Sequence, residues 1–199
     1  MEQLKTDLTK YNPGEFNRGA STSKFLLWQI AHFLFFVNPF FGFSGLRCKI
    51  LRAFGAKIGK GVVMNKPHIN IKFPWRLTIG DHSWLGERSW IYNLVQVEIG
   101  SHVNIAQGAF ILTGNHNFKS VEFENIDKPI IIEDGVFIGA NAVVCGGVTC
   151  KSHSVLAVGS VAVKDMEPYK IYQGNPAMFK KDREIAERKN PNAVFTKTH

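Results

Sequence analysis

The 199-residue sequence predicts an all-β solenoid, a parallel β-helix of hexapeptide repeats, on three observations. The first is a six-residue apolar period: Ile132, Ile138, Val144, Cys150 and Leu156 are spaced by six, and the same register recurs as Ile79, Leu85, Ile91 and as Ile99, Ile105, Ile111. The second is a small or β-branched residue four places further on, as at Ser83, Ser89, Ala109, Val136, Ala142, Val148, Ser154 and Ser160. The third is a glycine or alanine directly after an apolar position, as at Gly80, Gly86, Gly100, Gly139 and Ala157. Helical stripes repeat near 3.6 residues and strands at 2, so neither explains a period of six. If each hexad makes one face of a triangular prism, three hexads close a coil, the apolar residue points to the axis and the small one fits the corner. Coils are then expected to begin near Ile58, Ile79, Ile99, Ile132 and Cys150, each burying its face against its neighbours.

In chain order, residues 1–24 are polar and broken by Asn12-Pro13-Gly14 and Arg18-Gly19, which reads as an extended arm. Phe25 to Val37, interrupted only by Gln29 and His32, is too short to span a bilayer. Seven of the chain's sixteen Phe (Phe25, Phe33, Phe35, Phe36, Phe40, Phe41, Phe43) fall between positions 25 and 43. Two readings fit: a helix capping the end of the core, or one lying in a membrane interface with Arg47, Lys49 and Arg52 as lipid-phosphate contacts. Residues 1–57 thus form an N-terminal arm and apolar segment, and 58–166 the β-helix. Two extra residues interrupt the period near Val95 to Val97, and a long insertion occupies 113–128. Residues 167–199 are expected to form a loop, a short C-terminal helix over the charged stretch from Lys180 to Asn190, and a disordered end.

Lys plus Arg number 24 against 16 Asp plus Glu, a net +8 that favours anionic partners without choosing among them. Three cysteines, Cys48, Cys145 and Cys150, have no C-x-x-C spacing and indicate neither a disulfide framework nor a zinc finger. No signal-peptide pattern opens the chain, and a cytosolic protein is the simplest expectation.

Insertions in a solenoid are where sites are carried. His116, at the root of the insertion between Asn115 and Asn117, can act as a general base near neutral pH once an acceptor hydroxyl is in reach and its tautomer is held. No Ser, Cys or Asp stands beside it at triad spacing, so direct transfer from a bound donor is the simpler scheme. The segments 51–62 (LRAFGAKIGKGV), 74–94 (PWRLTIGDHSWLGERSWIYNL), 99–118 (IGSHVNIAQGAFILTGNHNF), the hexads of 132–163 and QGNPAM (173–178) resemble the hexapeptide-repeat acyltransferases. Within them the chain is similar to the sugar O-acetyltransferases of exopolysaccharide clusters, the colanic-acid-type enzymes. That resemblance implies a left-handed β-helix, a homotrimer with active sites between subunits, acetyl-coenzyme A as donor and His116 as the base that deprotonates a sugar hydroxyl. It also implies that Asn93 lines the acceptor site, that the pantetheine arm lies along Gly139, Ala140, Ala157 and Gly159, and that Lys164 contacts phosphate. Residue by residue, Asn93 can equally be a corner ladder, Gly139 and Gly159 tight corners, and Lys164 a solvated charge. Asn117, Gly146 and Lys151 depart from the family's usual residues.

The acceptor expected is a sugar or lipid-linked oligosaccharide, with peripheral contact to the cytoplasmic face of the inner membrane and no nucleic acid. No metal is expected. The competing readings are a zinc site of the γ-carbonic-anhydrase type on His82, His102 and His153, a non-enzymatic scaffold, and an acyltransferase fed by an acyl carrier protein.

Overall fold

The computed structural model describes residues 5–14, 16–40, 42–64 and 66–187. The predicted parallel solenoid is present, as three sheets whose strands pair only with the coils before and after them until the last hairpin. The residues expected to open the coils stand in one column: Ile58 pairs in register with Ile79, Ile79 with Ile99, Ile99 with Ile132 and Ile132 with Cys150. They belong to the first face, built from Lys57–Ile58, Leu77–Ile79, Val97–Ile99, Ile130–Ile132 and Thr149–Cys150. The second face stacks Trp84–Leu85, Asn104–Ile105, Phe137–Ile138 and Val155–Leu156, and the third stacks Asn70–Ile71, Trp90–Tyr92, Phe110–Leu112, Val143–Cys145 and Val161–Ala162. The strands of these three faces are two or three residues long; in the second and third faces one residue points inward, and in the three-residue strands of the first face the two end residues are buried and the middle one faces out. The inward Ile91, Ile105, Ile111, Ile138, Val144 and Leu156 are completely buried.

Corners explain the rest of the hexad. Ser83, Ser89, Ser154 and Ser160 are buried at the turns. Ser83 Oγ both donates to the Gly100 carbonyl (2.7 Å) and accepts from Val103 N–H (3.0 Å) of the next coil. Gly80 and Gly100 are dictated by stacking: a Cβ on Gly80 would lie 2.5 Å from the Gly100 carbonyl carbon, and one on Gly100 would lie 2.3 Å from Asp134 Oδ1. His82, His102 and His153 hold the left-handed position of the corner between first and second faces (φ +57°, +57° and +58°), which histidine tolerates better than most side chains.

A solenoid needs its open end covered. Helix α1 (Thr22–His32) starts at Ser21, whose Oγ accepts from Lys24 N–H at 3.2 Å, and it runs into a π-helical turn over Phe33–Val37 before Asn38-Pro39. Its inner side plugs the first coil. Trp28 and Phe36 are fully buried, and Trp28 Nε1 donates to the Ile71 and Lys72 carbonyls, both at 3.2 Å. Its outer side, Leu26, Leu27, Ile30, Phe33 and Leu34, is exposed, so the core-capping reading describes one face of the helix only. Phe41 lies outside the described residues.

Helix α2 (Ser44–Ala53) overturns part of the basic cluster expected at lipid phosphates. Arg47 shares the inner face with Cys48 and Leu51 and is completely buried. Its Nε donates to the Phe35 carbonyl (2.7 Å) and its Nη1 to the carbonyls of Met64 (2.6 Å) and Lys66, tying the π turn and the first coil to α2. Arg52 remains exposed but donates to the Ile58 and Gly59 carbonyls (3.0 and 2.8 Å).

At the other end a β-hairpin replaces the expected helix. Lys170–Gln173 extends the second face and Met178–Asp182 pairs antiparallel with it. The reason is the free edge of Val155–Leu156, which offers backbone partners that an isolated short helix lacks. Residues 183–187 have no regular structure, and 188–199, including the end expected to be disordered, lie outside the described residues.

His32 supplies a pH signature for the N-terminal cap. Burial pushes its pKa below the ordinary value of 6.5, against a hydrogen bond between Nε2 and the Ile69 carbonyl at 3.2 Å. The unfolded chain therefore binds the proton more readily. The contribution to stability is complete above about pH 6.5 and is lost as pH falls from there through the lowered value. Urea titrations of the native protein should show a falling midpoint below pH 6.5, and His32→Phe should flatten that dependence while losing about 1 kcal/mol at neutral pH with the hydrogen bond.

Candidate active site

The insertion leaves the corner between third and first faces after Leu112 and rejoins at Ile130. Thr113 anchors its root: the buried hydroxyl donates to the Tyr92 carbonyl and accepts from Leu94 N–H, both at 2.9 Å. Two antiparallel legs follow, with Asn115 and Ile126 exchanging backbone hydrogen bonds (3.1 and 2.7 Å) and Asn117 N–H reaching the Glu124 carbonyl (2.8 Å). The Asn117 side chain donates to Glu124 Oε1 at 2.6 Å, so this unusual neighbour of the histidine ties the loop to itself.

His116 projects from that ladder between two rings. Phe123 stacks on it at 4.8 Å between centroids and Tyr11 meets it edge-on at 5.9 Å. Its Nδ1 lies 3.1 Å from the Phe123 carbonyl oxygen. A carbonyl only accepts, so in the neutral ring Nδ1 carries the hydrogen and Nε2 keeps its lone pair. That is the tautomer a general base requires.

The N-terminal arm completes the surroundings. Asn12 N–H donates to the Glu122 carbonyl (3.0 Å), Tyr11 OH to Asn125 Oδ1 (3.1 Å), and Trp75 Nε1 to the Arg18 carbonyl (2.8 Å). Arm, insertion and coils together enclose a cavity of about 340 Å³, within the size range of small-molecule sites. Phe16, Phe25, Phe73 and Tyr92 give it aromatic walls, His116 and Asn115 a polar end, and Arg18 and Lys72 positive charge. The arm, Lys72 and Tyr92 were not marked by sequence. Only the excess of aromatics hinted at them, because the arm's partners lie about a hundred residues away in the chain.

Asp127 is a further residue that spacing did not reveal. Its Oδ1 is buried without a hydrogen-bond partner beside Gly114, where a Cβ would approach it to 3.2 Å and Leu94 Cδ1 to 2.7 Å. Burial pushes its pKa up, while His116 and Arg76 pull it down. Glycine at 114 is what lets the carboxyl settle next to the root of the histidine strand.

Asn93 has the contacts of the corner residue that the sequence equally allowed. It is fully buried, accepts from Phe73 N–H (3.0 Å), and donates to the carbonyls of Phe73 (2.7 Å) and Arg76 (3.0 Å). Both hydrogens of its amide are committed to the scaffold, and it meets the cavity through the Phe73 that it holds. Gly139, Ala140, Ala157 and Gly159 line the corner between second and third faces, a different edge of the prism from His116. Gly139 is required by stacking, since a Cβ would meet Val158 N at 2.6 Å, whereas Gly159 (φ +65°) has nothing within 4 Å and leaves its backbone open. Lys164 is exposed on the edge that carries the insertion. Within one chain, His116 is therefore not brought together with Gly139, Ala140, Ala157 and Gly159.

His82 and His102 stack at 5.3 Å between centroids, Gly135 takes the equivalent place in the next coil, and His153 beyond it stacks on Tyr169 at 4.8 Å. Among the described residues no group of three or more His, Cys, Asp or Glu is placed to hold a metal ion. Burial raises all three thiols, Cys150 to about 12, so none is poised as a nucleophile.

A parallel solenoid with a histidine-bearing insertion at one corner defines an acyltransferase of the hexapeptide class, and the chain belongs to the hexapeptide-repeat acetyltransferase family. Residues 129–161 match the family model described as the hexapeptide repeat of succinyl-transferase. Over 177 residues, 89% of this chain and 97% of the relative, the sequence is 32% identical to WcaF of Escherichia coli (strain K12), named as a colanic acid biosynthesis acetyltransferase. A hexapeptide-repeat acetyltransferase of Vibrio cholerae, solved with acetyl-coenzyme A, superposes with a TM-score of 0.67 at 29% identity, covering 72% of this chain and 79% of that one. A galactoside acetyltransferase solved with coenzyme A shares the fold at TM-score 0.72 and 22% identity, over 81% and 82% of the two chains.

Two substitutions separate scaffold from charge here. Asn93→Ala should lower unfolding free energy by about 2–4 kcal/mol, because it takes the printed partner from the Phe73 N–H and the Arg76 carbonyl, while the Phe73 carbonyl keeps the Arg76 N–H, as read by urea denaturation. Asp127→Asn should raise the melting temperature at neutral pH, since folding holds a carboxylate that burial disfavours. The gain should vanish as pH falls through the carboxyl's titration, as followed by thermal melts across an acid pH series.

Proposed function

We propose that this protein transfers an acetyl group from acetyl-coenzyme A to a sugar hydroxyl during exopolysaccharide assembly, with His116 as general base. The observation that carries the reading is the Nδ1 contact with the Phe123 carbonyl at 3.1 Å, which leaves Nε2 basic at the polar end of an aromatic cavity. Aromatic rings suit the apolar faces of a sugar ring, and Arg18 and Lys72 supply hydrogen-bond donors for its oxygens.

In the step itself, Nε2 takes the proton of the acceptor hydroxyl as that oxygen bonds to the thioester carbonyl carbon. The tetrahedral intermediate collapses with cleavage of the carbon–sulfur bond, and the departing thiolate takes the proton back from the imidazolium. The products are the acetyl ester and free coenzyme A, with no covalent enzyme intermediate. Three thiols whose pKa values are raised by burial, fully or in part, agree with that scheme.

The donor's pantetheine arm lies along the corner of Ala140, Ala157 and Gly159, with Gly139 beneath it and Lys164 toward the phosphates. Because this corner and His116 sit on different edges of one chain, the working site joins the base of one protomer to the donor groove of the next in a homotrimer. The relatives named for colanic acid biosynthesis and galactoside acetylation support a carbohydrate acceptor, free or lipid-linked. A coenzyme A donor puts the reaction on the cytoplasmic side.

His116→Ala should reduce acetyl transfer to an oligosaccharide acceptor by 10² to 10⁴-fold, the usual loss for a general base, with acetyl-coenzyme A affinity unchanged. Thiol release gives the rate and calorimetry the donor binding. Turnover within a few-fold of the native protein would remove His116 from the chemistry.

A further inference from the structure

The outer face of α1 has no partner among the described residues, although it is the most apolar surface of the protein. Leu26, Leu27, Ile30, Phe33 and Leu34 fall on one side of the helix, and Ile30 and Phe33 are 59% and 69% exposed. Phe40 and Phe43, in the turn before α2, are 85% and 68% exposed. A soluble surface scatters such residues singly; a row of this length marks a contact.

Charge is sorted to the same part of the chain. Residues 16–80 carry ten Lys and Arg and no Asp or Glu, whereas the rest of the sequence has 14 basic residues against 16 acidic. The whole positive excess therefore belongs to the segment that forms α1, α2 and the first coil. Arg47 is consumed in the core, but Lys49, Arg52, Lys57, Lys60 and Lys66 are exposed, with Lys60 alone in an ion pair, at 4.0 Å from Asp81.

We propose that this end of the molecule docks on an anionic lipid bilayer, with α1 lying in the interface. Aromatic and aliphatic side chains enter the headgroup boundary while the surrounding cations meet lipid phosphates. Spanning is ruled out for the described residues, none of whose helices is long and apolar enough to cross. A second copy of the chain is the wrong occupant on electrostatic grounds, since two such ends would face each other with cations and no carboxylates.

Docking also has a consequence for the cavity, which rests on the acetyl-transfer reading where the lipid contact does not. Phe25, in the first turns of α1, packs edge-on against Phe73 at 6.2 Å and forms part of the cavity wall with His116. A helix seated in the interface holds that wall beside the membrane surface, where the sugar of a lipid-linked acceptor lies.

The full-length protein should be floated with phosphatidylcholine vesicles and with vesicles that also contain phosphatidylglycerol. Flotation with the anionic vesicles, reduced by salt, is expected. Leu27→Glu, Ile30→Glu and Phe33→Glu together should lower the floated fraction at least tenfold while retaining the near-ultraviolet circular dichroism, acetyl-coenzyme A binding and turnover of a water-soluble acceptor. Lys49→Glu with Lys57→Glu should remove the preference for phosphatidylglycerol. A native protein that stays at the bottom with both vesicles at low salt overturns the proposal. So does a triple variant that floats like the native protein, or a native mass in gel filtration that drops in the triple variant, which assigns the face to another copy. Equal flotation on neutral vesicles overturns the anionic-lipid part. Because vesicle binding is read without turnover, loss of the acetyl-transfer reading would leave this result standing, and the reverse.

Discussion

Backbone hydrogen bonds in this protein run between coils, so every residue rests on its equivalent in the coil before and after, about 4.8 Å away. That stacking is the constraint from which the other features follow. An inward residue must be apolar because the axis has no water, and the column Ile79, Ile99, Ile132, Cys150 is what results. A corner must turn in very little space, so its residues are buried serines that bond the next coil, glycines where a Cβ would lie 2.5 Å from a carbonyl carbon of the next coil, or residues able to hold a positive φ. The histidines of one corner are explained by this requirement without chemistry.

A stacked fold has two ends, and the N-terminal segment closes one of them with polar as well as apolar contacts. Trp28 fills the mouth of the first coil and uses its indole N–H on two strand carbonyls. Arg47 brings a buried cation to three backbone carbonyls, one on the π turn and two on the first coil, which is costly in desolvation but ties the two helices to the solenoid. Capping uses only one side of α1. The other side stays apolar in a region devoid of carboxylates, which a cap alone does not require.

Function gathers where stacking is interrupted. The insertion can bond to itself, and its own Phe123 carbonyl sets the tautomer of His116. The arm then crosses from α1 to the insertion and walls off the cavity, so the helix, the cavity and His116 form one continuous structure. Asn93 serves it from below by holding Phe73, and Asp127 sits unpartnered at the root of the same strand.

How much of this was legible depends on the distance over which each interaction acts. The coils were readable from Ile58 to Cys150 because stacking imposes a local requirement every six residues, which leaves a period in the sequence. His116 was readable as a candidate because it stands at the break in that period. The sequence could not say that Asn93 spends its amide on Phe73 and Arg76, that Tyr11 and Arg18 border the cavity, or that Arg47 is buried while Lys49 is not. Each of those depends on which segments meet, and contacts between residues 12 to 114 positions apart leave no periodic trace. The C-terminal hairpin belongs with them: a charged stretch has no strong local preference, and the open edge of the last coil decided its shape. By itself the sequence determined the solenoid, its coils and the place of its interruption, since these are local and repeated. Only the tertiary structure decided the tautomer of the histidine, the walls around it and the two-faced character of α1, because burial and hydrogen-bond partners exist only once distant segments have met.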